Sequence, residues 1–215
     1  MMASRRPSSP RKEQWAAALR VDELSFHDRG PYSFTVEAGQ CVGLHGASGA
    51  GKTLLLRAMV DLDPHQGTVW LGDTRQEEIP APRWRRRVGL LPAESFWWYD
   101  LVGEHFSRPP ASEQLVRLGF GPEVLGWRIS RLSTGEKQRL AFLRLLANRP
   151  EALLLDEPTA SLDAANIKRV EQLVLEYMQS RQVPVLWVSH DPEQLQRVAD
   201  WRLFMDGDSV LHREA

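Results

Sequence analysis

The sequence predicts an α/β fold built on a mostly parallel sheet, and three observations predict it. Short apolar runs of strand length alternate with amphipathic helical stretches, the pattern of parallel strands joined by crossovers. One such run, Cys41-Val42-Gly43-Leu44-His45, leads into Gly46-Ala47-Ser48-Gly49-Ala50-Gly51-Lys52-Thr53, and Leu54 to Val60 can start a helix. This is G-x-x-x-x-G-K-T in a strand–loop–helix setting, the pattern of a phosphate-binding loop. Another run, Ala152-Leu153-Leu154-Leu155, closes on Asp156-Glu157-Pro158. It has the form of a buried parallel strand delivering carboxylates at its C-terminal end.

Bulk properties bound the reading. A chain of 215 residues makes one domain, or one domain with a small subdomain. With 27 Lys and Arg against 28 Asp and Glu, no global field argues for nucleic acid or a membrane surface. The single cysteine, Cys41, excludes a disulfide framework and fits a reducing, cytoplasmic compartment. No apolar run approaches a membrane span, and the basic N-terminus lacks the hydrophobic stretch of a signal peptide. A role at a membrane therefore calls for a separate membrane chain.

The elements follow in order. Residues 1–14 are polar and basic with two prolines and read as a disordered tail, leaving residues 15–215 as the domain. Leu24-Ser25-Phe26 and Tyr32-Ser33-Phe34-Thr35-Val36 alternate as antiparallel strands, predicting an antiparallel β-subdomain. Phe26 either packs in that core or stacks on a base, and pattern alone favours packing. Gly67 to Asp73 is a further strand, and Pro80 and Pro82 break the chain. Arg83-Trp84-Arg85-Arg86-Arg87 reads as a solvated face, with a phosphate or headgroup contact as the sharper alternative. Val88 to Leu91 is a buried strand. Phe96-Trp97-Trp98-Tyr99 cannot all enter one core from a single strand or helix, so at least one should lie at a surface and mark a partner site.

A helical pattern interrupted by Pro109-Pro110 and by Gly119 to Pro122 predicts a small helical subdomain over about residues 95–145. It includes the helix that starts near Leu132-Ser133, carries Leu140, Leu143, Leu146 and Ala147, and ends before Pro150. Ser161-Leu162-Asp163 opens an amphipathic helix with Ile167, Val170, Leu173, Val174, Tyr177 and Met178 on its apolar face. Val183 to Ser189 is a strand ending at His190-Asp191, a helix covers about Pro192 to Ala199, and a hairpin turning at Asp206-Gly207-Asp208 closes the chain.

These pieces carry chemistry. Glycines turn successive backbone N–H groups inward as an anion nest, and the following helix points its positive end at the same place. Lys52 adds a charge for the β- and γ-phosphates, and the Thr53 hydroxyl is a Mg²⁺ ligand. Asp156 is suited to hold the same ion through water, and Glu157 to orient the attacking water as general base. Either carboxylate alone reads equally as a cap or salt-bridge partner. His190 also closes a strand, emerges on the same sheet edge, and is a candidate γ-phosphate contact.

From about Leu24 to Leu211 the chain resembles the ATP-binding cassette (ABC) ATPases. Gly46 to Thr53 resembles the Walker A motif and Leu153 to Glu157 the Walker B motif with its catalytic glutamate. Leu132-Ser133-Thr134-Gly135-Glu136 is similar to the signature written L-S-G-G-Q or L-S-G-G-E. Ser161-Leu162-Asp163 resembles the D-loop, and His190 the switch histidine.

The resemblance implies a phosphate-loop NTPase core, ATP and Mg²⁺ as ligands, and a helical subdomain carrying the signature. It implies that Phe26 stacks on adenine and that Leu54 follows the loop into the site. Two cassettes would pair head to tail, with Ser133, Gly135, Glu136 and Asp163 of one copy at the ATP of the other. The implied function is the ATP-hydrolysing subunit of an ABC transporter, peripheral on the cytoplasmic face of the inner membrane. A weaker likeness points to small cassettes of iron export or metal homeostasis. The alternative is a soluble ABC ATPase of translation, repair or regulation. Two departures stand out. Ala93 occupies the usual place of a metal-contacting Gln, leaving Glu94 to supply that contact or none. Thr134 replaces the first signature glycine, adding bulk and a hydroxyl beside the phosphate.

Overall fold

A computed structural model describes residues 17–206 and 210–214. The expected tail at residues 1–14 and the turn at Gly207-Asp208 lie outside the described residues. Six strands form one sheet in the order β10-β9-β3-β8-β7-β6: β3 (Cys41–Gly46), β6 (Val88–Leu91), β7 (Ala152–Asp156), β8 (Val185–Val188), β9 (Trp201–Met205) and β10 (Leu211–Glu214). Every pair is parallel except β9 with β10. Four strands form an antiparallel sheet in the order β2-β1-β4-β5: β1 (Leu19–Phe26), β2 (Arg29–Val36), β4 (Gln66–Leu71) and β5 (Thr74–Arg75).

The central strands are apolar throughout because both faces are covered. Val42, Leu44, Leu154, Leu186 and Val188 pack with the antiparallel sheet and α1 (Lys52–Met59). Cys41, Leu153, Leu155, Val185 and Trp187 face the other way, onto α4 (Thr134–Ala147) and α5 (Ala164–Arg181). Alternation along each strand thus feeds two cores.

The basic run forms α2 (Ala81–Arg87), anchored by one aromatic residue. Trp84 is fully buried and its Nε1 donates to Met59 O at 2.9 Å, while Arg83 and Arg86 face solvent. Arg87 is held by Glu151 through two bonds of 2.8 Å. Two of the five residues are therefore solvated as expected, while Arg85 is half-buried and donates to Asp61 O at 2.8 Å.

The stretch before α4 differs from its periodicity. It contains only one short α-helix, α3 (Ser112–Arg117), with 3₁₀ turns at Val102–His105, Pro122–Gly126 and Ile129–Arg131. Prolines and glycines break each helical pattern before it reaches a stable length. The last helix, α6 (Pro192–Val198), follows β8. Among the described residues no helix is long and apolar enough to cross a membrane.

Candidate functional site

The strand order brings the site together. β3, β8 and β7 are parallel neighbours, so the phosphate loop, His190 and the Asp156-Glu157 pair all emerge at one sheet edge. A cavity of about 250 Å³ lies there, lined by Ser48, Gly49, Gly51, Lys52, Thr53, Leu54, Ala93, Asp156, Glu157 and His190. The loop depends on backbone that only glycine gives easily. Gly46 has φ 147, and a Cβ there would stand 2.1 Å from Met205 O.

Lys52 Nζ donates to Gly46 O at 2.8 Å and to Ala47 O at 2.9 Å. Gly46 and Ala47 thus contribute through their carbonyls, and the Ala50 side chain is buried beneath the loop. Burial lowers the Lys52 pKa, against the opposing pull of Glu157 and Asp156. Thr53 Oγ1 donates to Asp156 Oδ2 at 2.8 Å. Burial raises the pKa of both carboxylates; the Thr53 bond offsets this at Asp156, and nearby His190 offsets it at Glu157.

Glu157 has φ 47, and its N–H donates to Val188 O at 3.1 Å, so the chain kinks sharply as it leaves β7. Its Oε1 lies 3.4 Å from His190 Nε2, close enough for charge attraction. The alignment is too poor for a hydrogen bond, and that buried oxygen has no hydrogen-bond partner among the described residues. A carboxylate raised by burial, with one oxygen unpartnered and a histidine beside it, suits a general base.

A second concavity of about 450 Å³ lies at the start of α4 and shares no lining residue with the first. Ser133 caps the helix: Glu136 N–H donates to Ser133 Oγ at 3.3 Å, and Glu136 Oε2 accepts from Ser133 N at 2.8 Å. Donation to its carboxylate from Ser133 N, and from Ser133 Oγ at 2.9 Å, lowers the Glu136 pKa. Gly135 is pressed on the following loop, for a Cβ there would meet Ser161 O at 2.9 Å. Asp163 lines the same concavity while its Oδ1 accepts from Asn166 N at 2.9 Å as the cap of α5.

Two expected residues fall elsewhere. Phe26 is 2% exposed, and its ring packs 5.5 Å from Tyr32. A register shift between Asp22 and Ser25 resets the alternation and keeps both Leu24 and Phe26 inward, so the ring is unavailable to a base. Glu94 is exposed and absent from the phosphate cavity, which Ala93 lines instead. Gln138 of α4 anchors the start of this loop by donating to Pro92 O at 3.1 Å; Ala93 and Glu94 are both exposed, and of the two only Ala93 borders the cavity.

The residues after this loop build a second feature that the sequence only half predicts. Phe96, Trp98 and Tyr99 are 69%, 63% and 53% exposed, and Trp97 packs against the core. Arg144 donates to Phe96 O at 3.0 Å and lies over the Trp97 and Trp98 rings at 4.5 and 4.9 Å. Buried His105 accepts from Trp98 N and Tyr99 N at 3.0 and 2.9 Å through Nε2, and donates from Nδ1 to Leu101 O. Arg144 carried no sequence signal beyond a helical position, and His105 none.

Fold and site together define a phosphate-loop nucleoside triphosphatase with a second, signature-bearing face. The sequence model of the ABC transporter family matches residues 30–160. An aliphatic sulfonates import ATP-binding protein, SsuB 2 of Paracoccus denitrificans, is 37% identical over 182 residues, covering 83% of this chain and 71% of its own. The phosphate import ATP-binding protein PstB of Aeropyrum pernix is 29% identical over 204 residues, covering 83% of this chain and 81% of its own. A bacterial Atm1-family ABC exporter with ATP bound superposes with a TM-score of 0.79 at 20% identity, over 93% of this chain and 39% of that one. A dimeric ATP-binding cassette bound to ADP and Pi gives 0.78 at 19%, over 92% and 97%. At these identities the two structures speak for the fold alone.

The chain belongs to the ABC transporter family as an ATP-binding cassette, and it is an ATPase. Both relatives carry import names, and iron export is named in none of the proteins cited.

Proposed function

We propose that this cassette powers a separate membrane protein by closing and opening a head-to-tail pair of copies around ATP, and that the transporter imports a small anion. The observation that carries the reading is the pair of separate concavities on one chain. One is a complete phosphate cradle with its base, and the other is a capped helix N-terminus suited to a phosphate that this chain's own cradle does not present to it. A second copy supplies what each lacks.

In this reading Lys52 and the loop amides bind the β- and γ-phosphates, Glu157 takes a proton from the attacking water, and His190 holds the γ-phosphate side. The signature residues Ser133 and Gly135 meet the γ-phosphate of the opposite copy, and hydrolysis releases that contact.

Mg²⁺ fits the donors present. Thr53 and Asp156 form an oxygen-only pair, and among the described residues no group of three or more His, Cys, Asp or Glu makes a closed cage. Such a site suits an ion that keeps water and phosphate oxygens as its other ligands. When bound, the ion would offset charge developing on the phosphates.

A groove of about 350 Å³ supports the membrane partner. Leu62, Arg57, Arg85, Leu90, Phe96 and Arg144 line it, an apolar floor with a cationic rim. Exposed Phe96 at its edge is a suitable anchor for an inserted helix. Import of an anion draws its support from the sulfonate and phosphate relatives. The test is sedimentation of Glu157→Gln with ATP and Mg²⁺. A dimer that forms with ATP, not with ADP, and is lost in Ser133→Glu supports the reading. A monomer under all conditions overturns it.

A further inference from the structure

We propose that Arg29 is a positioning residue for the phosphate loop, holding the loop in its anion-binding form from outside while Lys52 holds it from inside. Arg29 opens β2 and lies against the loop from the antiparallel sheet. Its guanidinium donates to Ala50 O through one terminal nitrogen and to Gly49 O through the other at 3.0 Å. Its aliphatic stem runs along the loop, since a Cβ on Gly51 would stand 3.0 Å from Arg29 Cδ. Four consecutive-pair carbonyls are thereby shared between two cations: Gly46 and Ala47 belong to Lys52, and Gly49 and Ala50 to Arg29.

The consequence follows from peptide planarity. Within one peptide unit the C=O and the N–H point in opposite directions. Holding Ala50 O outward turns the Gly51 N–H toward the cavity that Gly51 lines. Holding Gly49 O outward leaves the Ala50 N–H to close the loop on Ala47 O at 3.2 Å. A rigid planar fork suits this task, because it satisfies two neighbouring carbonyls at once where an ammonium is a point charge. Arg29 is not among the residues lining the phosphate cavity, so its effect reaches the ligand through the loop's backbone.

The proposal rests on the loop being the nucleotide site. It is tested on the full chain by titration with ATP, GTP and pyrophosphate, and by steady-state ATPase kinetics. Arg29→Ala is expected to weaken all three ligands by about tenfold, the order of a lost charged hydrogen bond. KM for ATP should rise in step while kcat at saturation stays within about twofold. Arg29→Lys, which keeps the charge and loses the fork, should fall between the two.

Unchanged affinity overturns the proposal. So does a loss confined to ATP, which would make Arg29 a base contact. A fall in kcat with KM unchanged would reduce it to fold support and likewise overturn it. If Arg29→Ala does not fold, Arg29→Lys and Arg29→Gln carry the same comparison. Lys52→Ala serves as the control: if it binds ATP as the parent does, the loop assignment has failed, and not the role of Arg29.

Discussion

Lys52 shows how one residue waits for its ligand. Its ammonium is buried and held by two carbonyls of its own loop, so no charge stands unpaired before phosphate arrives. Lys52→Ala is expected to abolish tight ATP binding, read as loss of saturable titration. Glu157 sits differently: its carboxylate is raised by burial and lacks a hydrogen-bond donor at Oε1. Glu157→Gln keeps the shape and removes the proposed base. Binding should persist while turnover falls by at least about a hundredfold, measured by phosphate release at saturating ATP. Undiminished turnover would place the base elsewhere.

At the scale of elements, α4 carries the most. Its N-terminus is closed by Ser133 and Glu136, its middle anchors Pro92 through Gln138, and its C-terminal half holds Phe96 through Arg144. Ser133→Ala is expected to cost about 1 kcal/mol in urea melts with an unchanged slope, the usual loss of a cap. The pH dependence has a definite sign. The Glu136 pKa is lowered in the fold, chiefly by the Ser133 backbone bond. Its contribution is therefore present above the ordinary carboxylate pKa and is lost as pH falls through the lower folded value. Glu136→Gln should melt below the parent at neutral pH and converge on it in acid.

The same element shows what was legible. Lys52, Thr53, Asp156, Glu157 and His190 stand at the ends of strands or the start of a helix, so motif and position pointed to them, while Ser133 read as a helix entry and took its site role from the resemblance. Phe26 packs inward as its strand pattern favoured, and only the resemblance had turned it toward a base; the bulge in β1 keeps Leu24 and Phe26 on one buried face. Glu94 was offered because the resemblance left a gap at Ala93, and no periodicity in that loop says which neighbour borders the cavity. The short 3₁₀ turns before α4 escaped because broken helical periodicity does not say what replaces the helix.

The whole molecule places two cavities back to back. The groove beside Phe96 is held by groups from several elements, with Arg144 reaching from α4 and His105 fixing the aromatic strip behind it. His105→Ala leaves two backbone N–H groups without their acceptor, an expected cost of about 1–3 kcal/mol each if they stay dry. A lower melting temperature and a red-shifted tryptophan emission would report it. Phe96→Ala should leave melting and ATP titration unchanged, because that ring is mostly in solvent, yet weaken recovery of the membrane partner in detergent. Full recovery would move the docking site.

Thr53 and Asp156 line both the groove and the phosphate cavity. The two spaces therefore share a wall made of the Thr53 hydroxyl and the Asp156 carboxylate. Free energy around a closed cycle must balance, so coupling across that wall runs equally in both directions. By whatever factor ATP tightens the grip on a groove occupant, that occupant tightens the grip on ATP. With the proposed membrane partner in the groove, nucleotide affinity would be a joint property of chain and partner, and a titration of one would read out the occupancy of the other.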